Sequence, residues 1–436
     1  MRWLARRSVR GRLTAFVATF VAVFSSALLF SPFAQLLEAA IGPMPMAERE
    51  SLVIMGGVIG TWAMILGVFA PVSTLALVVH QRTAEFRRLR TLGATSDQLV
   101  TLVRTEALAV GVPAAILGAL SGWPLGRGLF ATLQNAGIIG AEVPHANGLP
   151  AAAIAALIVI WLVRFSAGFA ARGAIAGRTP AGGVLAGARP TKVRMIVIGV
   201  LLWHALGAAG ITLAVTAHDP DPYAAMQSSG PAAMIAALAA ALAASWVTQR
   251  FGPRLQQRLG SDVVGELALY DVLRRPQLLA PLLGPLMVMV AGSTSVAMVV
   301  LIDAFTVELP PTMTRAQANS LLLLNGTVAV VVTIFTALMA VNAALAALAD
   351  RRGELEQLHR IGATRTQVRR VVRAELSAVW FVGTAVGLGC SLLTVIPFAV
   401  ARESIVVPLT GLWIPVVVAL LAAVLLRSAG ALAQRL

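Results

Sequence analysis

Cysteine occurs once in this 436-residue chain, at Cys390 inside an apolar run. That excludes an intramolecular disulfide and a cysteine-ligated metal cluster. Lysine also occurs once, at Lys192 in "RPTKVR". A P-loop places its lysine after a glycine-rich turn, G-x-x-x-x-G-K-[ST], so that the ammonium reaches the phosphates. No such turn precedes Lys192, which excludes P-loop ATP hydrolysis by this chain. The five histidines, His80, His145, His204, His218 and His359, show no metal-ligand spacing. The expectation is therefore a chain with no catalytic residue, no metal and no cofactor of its own. Charge is scarce as well: 12% of residues are charged and 58% are hydrophobic. Soluble domains are about a quarter charged, so the composition describes an integral membrane protein.

Long apolar runs take the place of what is missing. Crossing about 30 Å of hydrocarbon takes roughly 20 residues. Ten runs qualify, near 13–37, 52–79, 107–126, 149–169, 195–217, 231–249, 278–303, 321–348, 377–400 and 411–430. Arg2, Arg6, Arg7, Arg10 and Arg12 precede the first run, as in a signal peptide. Its apolar stretch is longer than a signal core and no clear small-x-small site with a mature domain follows, so it reads as a span. With the N-terminus inside and sides alternating, 30 of the 34 basic residues fall in inner segments. Only Arg49, Arg127, Arg315 and Arg402 fall outside. Such one-sidedness is the positive-inside rule. The net charge of +15 then reads as topology and contact with anionic membrane lipids. No nucleic-acid partner is expected, and both termini are expected in the cytoplasm.

The fold class expected is all-α, with ten transmembrane helices arranged 4+2+4. A first four-span unit covers 1–170. "ARGAIAGRTPAGGVLAGARPTK" lies within 171–193 and reads as a flexible cytoplasmic linker. Two central spans occupy 194–250, and a second four-span unit covers 278–436. Each unit enters and leaves on the cytoplasmic side, so the two are parallel, unlike the inverted repeats of many secondary transporters.

One polar passage is written twice, 269 residues apart. Aligned at that offset, Arg82 matches Arg351, Glu85 matches Glu354, Leu89 matches Leu358, and Gly93, Ala94 and Thr95 match Gly362, Ala363 and Thr364. Gln98 then matches Gln367, Val103 matches Val372, Arg104 matches Arg373 and Glu106 matches Glu375. Ten of 25 positions are identical. Phe86, Leu89 and Leu92, like Leu355, Leu358 and Ile361, recur every three residues and suggest an apolar stripe on a short helix. Gly93 and Gly362 stand where a helix favours a left-handed residue just past its end. Thr95 with Gln98, and Thr364 with Gln367, have capping-box spacing. Each loop is therefore expected to be a short helix, a glycine elbow and a second helix running into the next span. Two readings stay open: an amphipathic helix resting on anionic lipid, or a rigid surface for a protein partner. Matched glutamates and capped elbows in both copies favour the partner.

The passages "RTAEFRRLRTLGATSDQLVTLVRTEA" and "RRGELEQLHRIGATRTQVRRVVRAEL" resemble the signature loop of the FtsX-like permeases of ATP-binding-cassette (ABC) transporters. That family includes lipoprotein-release, macrolide-export and bacitracin-resistance permeases, and the 4+2+4 plan resembles the last of these. "LALYDVLRRPQ", within 251–277, is similar to the family's amphipathic lead-in to a four-span unit, and "LARRSVRGR" echoes it more weakly. The resemblance implies that each loop is a coupling helix for a separate ATPase. It carries that role to Arg82, Glu85, Phe86, Leu89, Gly93, Ala94, Thr95, Gln98, Arg104 and Glu106. In the second copy it carries the role to Arg351, Glu354, Leu355, Leu358, Gly362, Ala363, Thr364, Gln367, Arg373 and Glu375. The implied partners are two copies of a cytoplasmic ABC ATPase holding ATP and Mg, and a hydrophobic or amphiphilic substrate such as a drug, peptide or lipid. The implied location is a bacterial plasma membrane.

An alternative within the family is an ATP-driven transmitter that moves no cargo. The coupling loops weigh against a third possibility, an ATP-independent channel or carrier. Unlike many family members, this chain has only short outer segments, near 39–51, 127–148, 218–230, 304–320 and 401–410. A mechanism built on flexing a large outer domain does not carry over. Within the spans, His204, Asn325 and Asn342 read as interhelical hydrogen-bonding groups, and Asp303 as an outer-interface residue. Pro71 reads as a kink that either serves as a hinge or does not.

Overall fold

The computed structural model describes residues 13–60, 82–135, 137–175, 192–215, 224–250 less 245 and 249, 276–306, 315–404 and 406–433, with isolated positions between 61 and 81. Every regular element among them is helical. In chain order these are α1 (Leu13–Ala39), α2 (Met46–Ile54), α3 (Thr83–Thr91), α4 (Ser96–Asn135), α5 (Leu149–Ile175) and α6 (Lys192–Ala214), then α7 (Ala224–Leu242), α8 (Pro276–Thr306), α9 (Arg315–Asp350), α10 (Arg352–Arg360), α11 (Arg365–Ala401) and α12 (Trp413–Ala433). A π-turn, Met55–Ile59, extends α2, and a short turn, Val406–Thr410, precedes α12.

Among the described residues, seven helices are long and apolar enough to cross a membrane: Val17–Ala39, Ser96–Asn135, Leu149–Arg172, Lys192–Ala214, Leu282–Thr306, Arg365–Ala401 and Val406–Ala431. Two further apolar stretches, Ser228–Leu242 and Val332–Leu345, are shorter. The expected span at 52–79 is described over 52–60 and only at isolated positions beyond, and most of the linker and of the lead-in at 251–277 lie outside the described residues. The linker's edges differ from expectation. Residues 171–175 complete α5, and α6 already begins at Lys192. As expected, the second helix of each elbow runs on into its span. α4 runs unbroken for 40 residues and α11 for 37, about 60 and 55 Å at 1.5 Å per residue. Capped polar turns at their starts continue directly into apolar ones, so no backbone group is released between them.

The chain forms two compact units, Met1–Ile175 with Val307–Phe335, and Ala176–Thr306 with Thr336–Leu436. In the first, α4 lies against α1 along a stripe of glycines at four-residue spacing. A Cβ added to Gly118 would stand 2.3 Å from the Phe24 carbonyl oxygen, and one added to Gly122 would stand 2.7 Å from that of Leu28. Small residues let helix backbones approach where lipid offers no hydrophobic drive to association. Ser31 Oγ then donates to the Ala119 carbonyl at 3.1 Å, across the same seam. At the far end of this unit, Glu38 accepts from the amides of Gly148 (3.3 Å) and Ala151 (2.9 Å), capping the start of α5.

In the second unit, Gly387 is the counterpart of Gly118 at the 269 offset. A Cβ there would lie 3.0 Å from the Met287 carbonyl oxygen of α8. Leu286, Val290, Val379, Phe398 and Ala422 form a buried core around that contact. Thr394 Oγ1 of α11 donates to Ser229 O at 2.8 Å and accepts from the Ala233 amide at 3.0 Å. It thereby bridges the turn of α7 that contains Pro231.

Three polar span residues can be placed. Asp303 pairs with Arg402 at 2.7 Å, both side chains largely buried. Asn342 is buried. His204 does not bridge helices as expected. It is exposed on α6, and its Nδ1 lies 2.8 Å from the Val200 carbonyl one turn back. The side chain of Asn325 and the residues flanking Pro71, 68–70 and 72–73, lie outside the described residues; Pro71 itself is helical and buried.

Candidate functional site

The two repeated loops fold as the same object. α3 and α10 each span nine residues, and each ends in a glycine with positive φ, +93° at Gly93 and +101° at Gly362. Both ends are Schellman turns. Ala94 N–H donates to Leu89 O at 3.0 Å and Gly93 N–H to Arg90 O at 3.0 Å. In the second copy Ala363 N–H donates to Leu358 O at 2.9 Å and Gly362 N–H to His359 O at 3.1 Å. Reciprocal capping boxes follow. Gln98 N–H donates to Thr95 Oγ1 at 3.3 Å, and Thr95 N–H returns to Gln98 Oε1 at 3.0 Å. Thr364 and Gln367 repeat this at 3.3 and 2.8 Å. The backbone turn is thus specified twice over, once on each side of the glycine.

A buried ion pair closes each elbow. Arg82, just before α3, donates through Nη1 to Glu106, almost three turns into α4. Arg351 does the same to Glu375. All four residues are buried. Nε of each arginine also reaches a glutamate on the first turn of the short helix, Glu85 at 2.9 Å and Glu354 at 3.5 Å. Burial alone would lower the Arg82 guanidinium, but its bonds to Glu85 and Glu106 outweigh that and hold it above its ordinary range. It stays charged. The guanidinium also lies over the Phe86 ring, 5.3 Å from its centroid. The pair ties the start of the short helix to the side of the long one, so each elbow is a closed triangle.

This placement sorts the residues that the sequence groups together. Arg82, Glu106, Arg351, Glu375 and Phe86 face inward and fix the elbow. Leu89 and Ala94 pack partly against the same core as Phe86, and Leu355 packs against the second unit's core. Leu358 and Ala363 are half-buried, Glu85 and Glu354 are partly exposed, and Gly93, Thr95, Gln98, Gly362, Thr364 and Gln367 are exposed. The arginines matched further on diverge. Arg104 folds across Gly168 of α5, where a Cβ would stand 2.4 Å from its Nη2, whereas Arg373 is exposed.

The apolar stripe differs from expectation at its last member. Leu92 is 83% exposed and Ile361 80%. A spacing of three residues falls about 60° short of a full turn at 3.6 residues per turn, so two steps swing the third side chain about 120° off the buried face. Each then sits at the helix end, just before the glycine. The structure therefore presents one bare apolar side chain at the tip of each elbow, at positions exactly matched in the two copies by the 269 offset. Around these tips the charges differ. Arg87 and Arg88 are exposed on α3, while Arg360 of α10 pairs with Glu356 at 3.1 Å.

No group of histidine, cysteine, aspartate and glutamate that could hold a metal occurs among the described residues. What fold and site define is a polytopic helical membrane protein with two copies of a rigid, apolar-tipped elbow. The family model described as FtsX-like permease C-terminal matches residues 57–180 and again 326–435. The second match begins 269 residues after the first, and together they take in more than half of the chain. The chain belongs to the FtsX-like permease family. It is also 41% identical over 68 residues to an uncharacterized ABC transporter permease protein of Mycobacterium tuberculosis. That stretch is 16% of this chain and 8% of the relative, so the chain matches only a small part of that protein's length.

Proposed function

We propose that this chain is the membrane-spanning subunit of an ABC exporter, and that each elbow seats in one copy of a separate cytoplasmic ATPase. The observation that carries this reading is the doubled elbow with its exposed tip, Leu92 in one copy and Ile361 in the other. Exposed single apolar side chains are ordinary. Two at matched positions, each on a turn held by a Schellman bond set, a capping box and a buried ion pair, fit a docking feature better than a lipid-resting helix. A helix floating on lipid needs no fixed angle.

In this reading the chain crosses the membrane ten times as 4+2+4, the four-span units are parallel, and both termini and both elbows lie in the cytoplasm. ATP and Mg are held by the partner. α4 and α11 are each continuous from elbow to the opposite membrane face, so a push on an elbow moves a whole rod. Such a rod supports export of a hydrophobic or amphiphilic substrate. It equally supports the second reading, a transmitter that acts on an outer partner without carrying cargo. ATP-driven movement of substrate in proteoliposomes separates the two.

Two elbows in one chain imply two ATPases per chain. Native mass spectrometry of the complex purified from its own membrane should give one copy of this chain with two copies of a P-loop ATPase. A complex of two permease chains with two ATPases, or purification without any P-loop chain, would overturn the assembly.

A further inference from the structure

Within the first unit, α5 carries Arg164, Gly168 and Arg172 at four-residue spacing, on one face of the helix. Both arginines are exposed. Beside that face Trp161, Phe165 and Phe169 are exposed as well, so this side of a membrane-spanning helix meets hydrocarbon. Between the two arginines, Arg104 of α4 lies across Gly168. A Cβ there would stand 2.4 Å from its Nη2, 2.5 Å from its Nε and 2.8 Å from its Cζ, so the guanidinium rests on bare backbone. At the same end of the unit, Arg90 Nη1 donates to the Ile175 carbonyl at 3.2 Å, which ties the elbow to the end of α5.

Arg104 Nε is buried and has no acceptor. Among the described residues, no carboxylate pairs with Arg104, Arg164 or Arg172. No Asp or Glu occurs between Glu142 and Asp219, so α5 and the segments that adjoin it offer none. A charged donor buried without an acceptor is costly, and guanidinium groups one turn away on either side add like-charge repulsion. The second unit shows that such a notch needs no charge. α12 carries "RSAG" at 427–430 where α5 carries "RFSAG" at 164–168. There Leu376 of α11 takes the place over the glycine, its Cδ1 2.7 Å from a Cβ added to Gly430. Leucine is enough to pack the notch, whereas arginine brings a fork of donors suited to a phosphate.

We infer that the Gly168 notch is a binding site for the phosphate of an anionic phospholipid. The Arg104 fork holds the phosphate, Arg164 and Arg172 flank it, and the acyl chains run along Trp161, Phe165 and Phe169. The assignment of that lipid to the cytoplasmic leaflet rests on the topology proposed above, in which this end of α5 lies inside. The lipid site itself does not depend on the ATPase.

The experiment uses the full-length chain without ATPase, reconstituted in vesicles of phosphatidylcholine and phosphatidylglycerol, extracted gently and weighed by native mass spectrometry. One phosphatidylglycerol should be retained in preference to phosphatidylcholine. Arg104→Leu, which copies the leucine of the second unit's notch, should remain monodisperse and lower that preference about fivefold, the contribution of one basic side chain beside an anionic headgroup. Gly168→Ala should lower it with every charge kept, because the new Cβ pushes the fork out of the notch. Arg373→Gln, at the exposed counterpart of Arg104, should leave it unchanged. Excess inorganic phosphate should not displace the lipid, since it makes no contact with the apolar side chains. Unchanged retention in Arg104→Leu or in Gly168→Ala would overturn the site. Equal loss in Arg373→Gln and Arg104→Leu would overturn it too, by showing attraction to diffuse surface charge. Displacement by inorganic phosphate would overturn the lipid and leave a free anion in its place. Each of these results leaves the ATPase reading standing, and a chain that binds no ATPase can still pass this test.

Discussion

Replacing Glu375 with alanine will leave Arg351 buried without the carboxylate it faces on α11, and the second unit will lose stability sharply. Removing one partner of a buried ion pair costs about 3–5 kcal/mol, because the other charge remains in a low-dielectric site. Arg351 keeps Glu354, but at 3.5 Å and on a side chain 42% exposed, so that contact is weak compensation. The fraction of chain still monodisperse after a heat step, read by fluorescence-detected size exclusion, should fall well below the parent's. The double variant Arg351→Leu with Glu375→Leu should recover most of that loss, since an apolar pair of similar size often replaces a buried ion pair at no net cost. It should not recover coupling. Two leucines pack without a fixed direction, whereas the guanidinium fork defines where the start of α10 sits on α11. Substrate-stimulated ATP turnover in liposomes should therefore stay low in the refolded double variant. Full turnover there would mean that the pair serves the fold alone.

Gly362→Val is the second change with a large expected effect, and it acts in the opposite way. A Cβ at Gly362 meets no atom within 4 Å, so nothing is crowded. The cost is conformational: φ is +101°, and a β-branched residue there is strained by about 1–2 kcal/mol or more. A helical membrane unit tolerates that, and the chain should insert and purify normally. The local backbone relieves the strain by leaving the Schellman turn, which changes the angle between α10 and α11. A bias of 1–2 kcal/mol is a factor of about 5–30 in the population of the native angle, and coupled ATP turnover should fall by a similar factor. Thr364→Ala removes one cap worth about 1 kcal/mol and should be milder. Gly93→Val should match Gly362→Val if both elbows are used alike. Normal ATPase binding and normal turnover in both glycine variants would mean that the elbows only lie on lipid.

The elbow was readable from sequence because its determinants are local. Gly362, Thr364 and Gln367 act on backbone groups within a few residues, and the same spacing at Gly93, Thr95 and Gln98 doubles the signal. What the pattern did not reveal depends on tertiary placement. Arg82 and Glu106 lie 24 residues apart, and nothing in their spacing shows that they meet inside the protein instead of facing a partner. Leu92 and Ile361 extend an apolar spacing by one more step, yet the helix's own rotation carries them off the buried face. The run of α4 into its span was legible, but its far end was not: the helix continues past the apolar stretch to Asn135. Hydropathy locates only the apolar part, near 107–126. The close approach of Gly118 to α1 and of Gly387 to α8 likewise needs both helices in view.

The central proposition is that Leu92 and Ile361 enter an ATPase. A benzophenone amino acid placed at Leu92, at Ile361 or at Val424 in separate preparations tests it directly, because Val424 is comparably exposed, at 62%, on an apolar span. On illumination of the membrane-embedded complex, both elbow positions should form a covalent adduct with the ATPase chain, and Val424 should form none. Adducts only with lipid at Leu92 and Ile361, matching those at Val424, would contradict the docking role of the elbows.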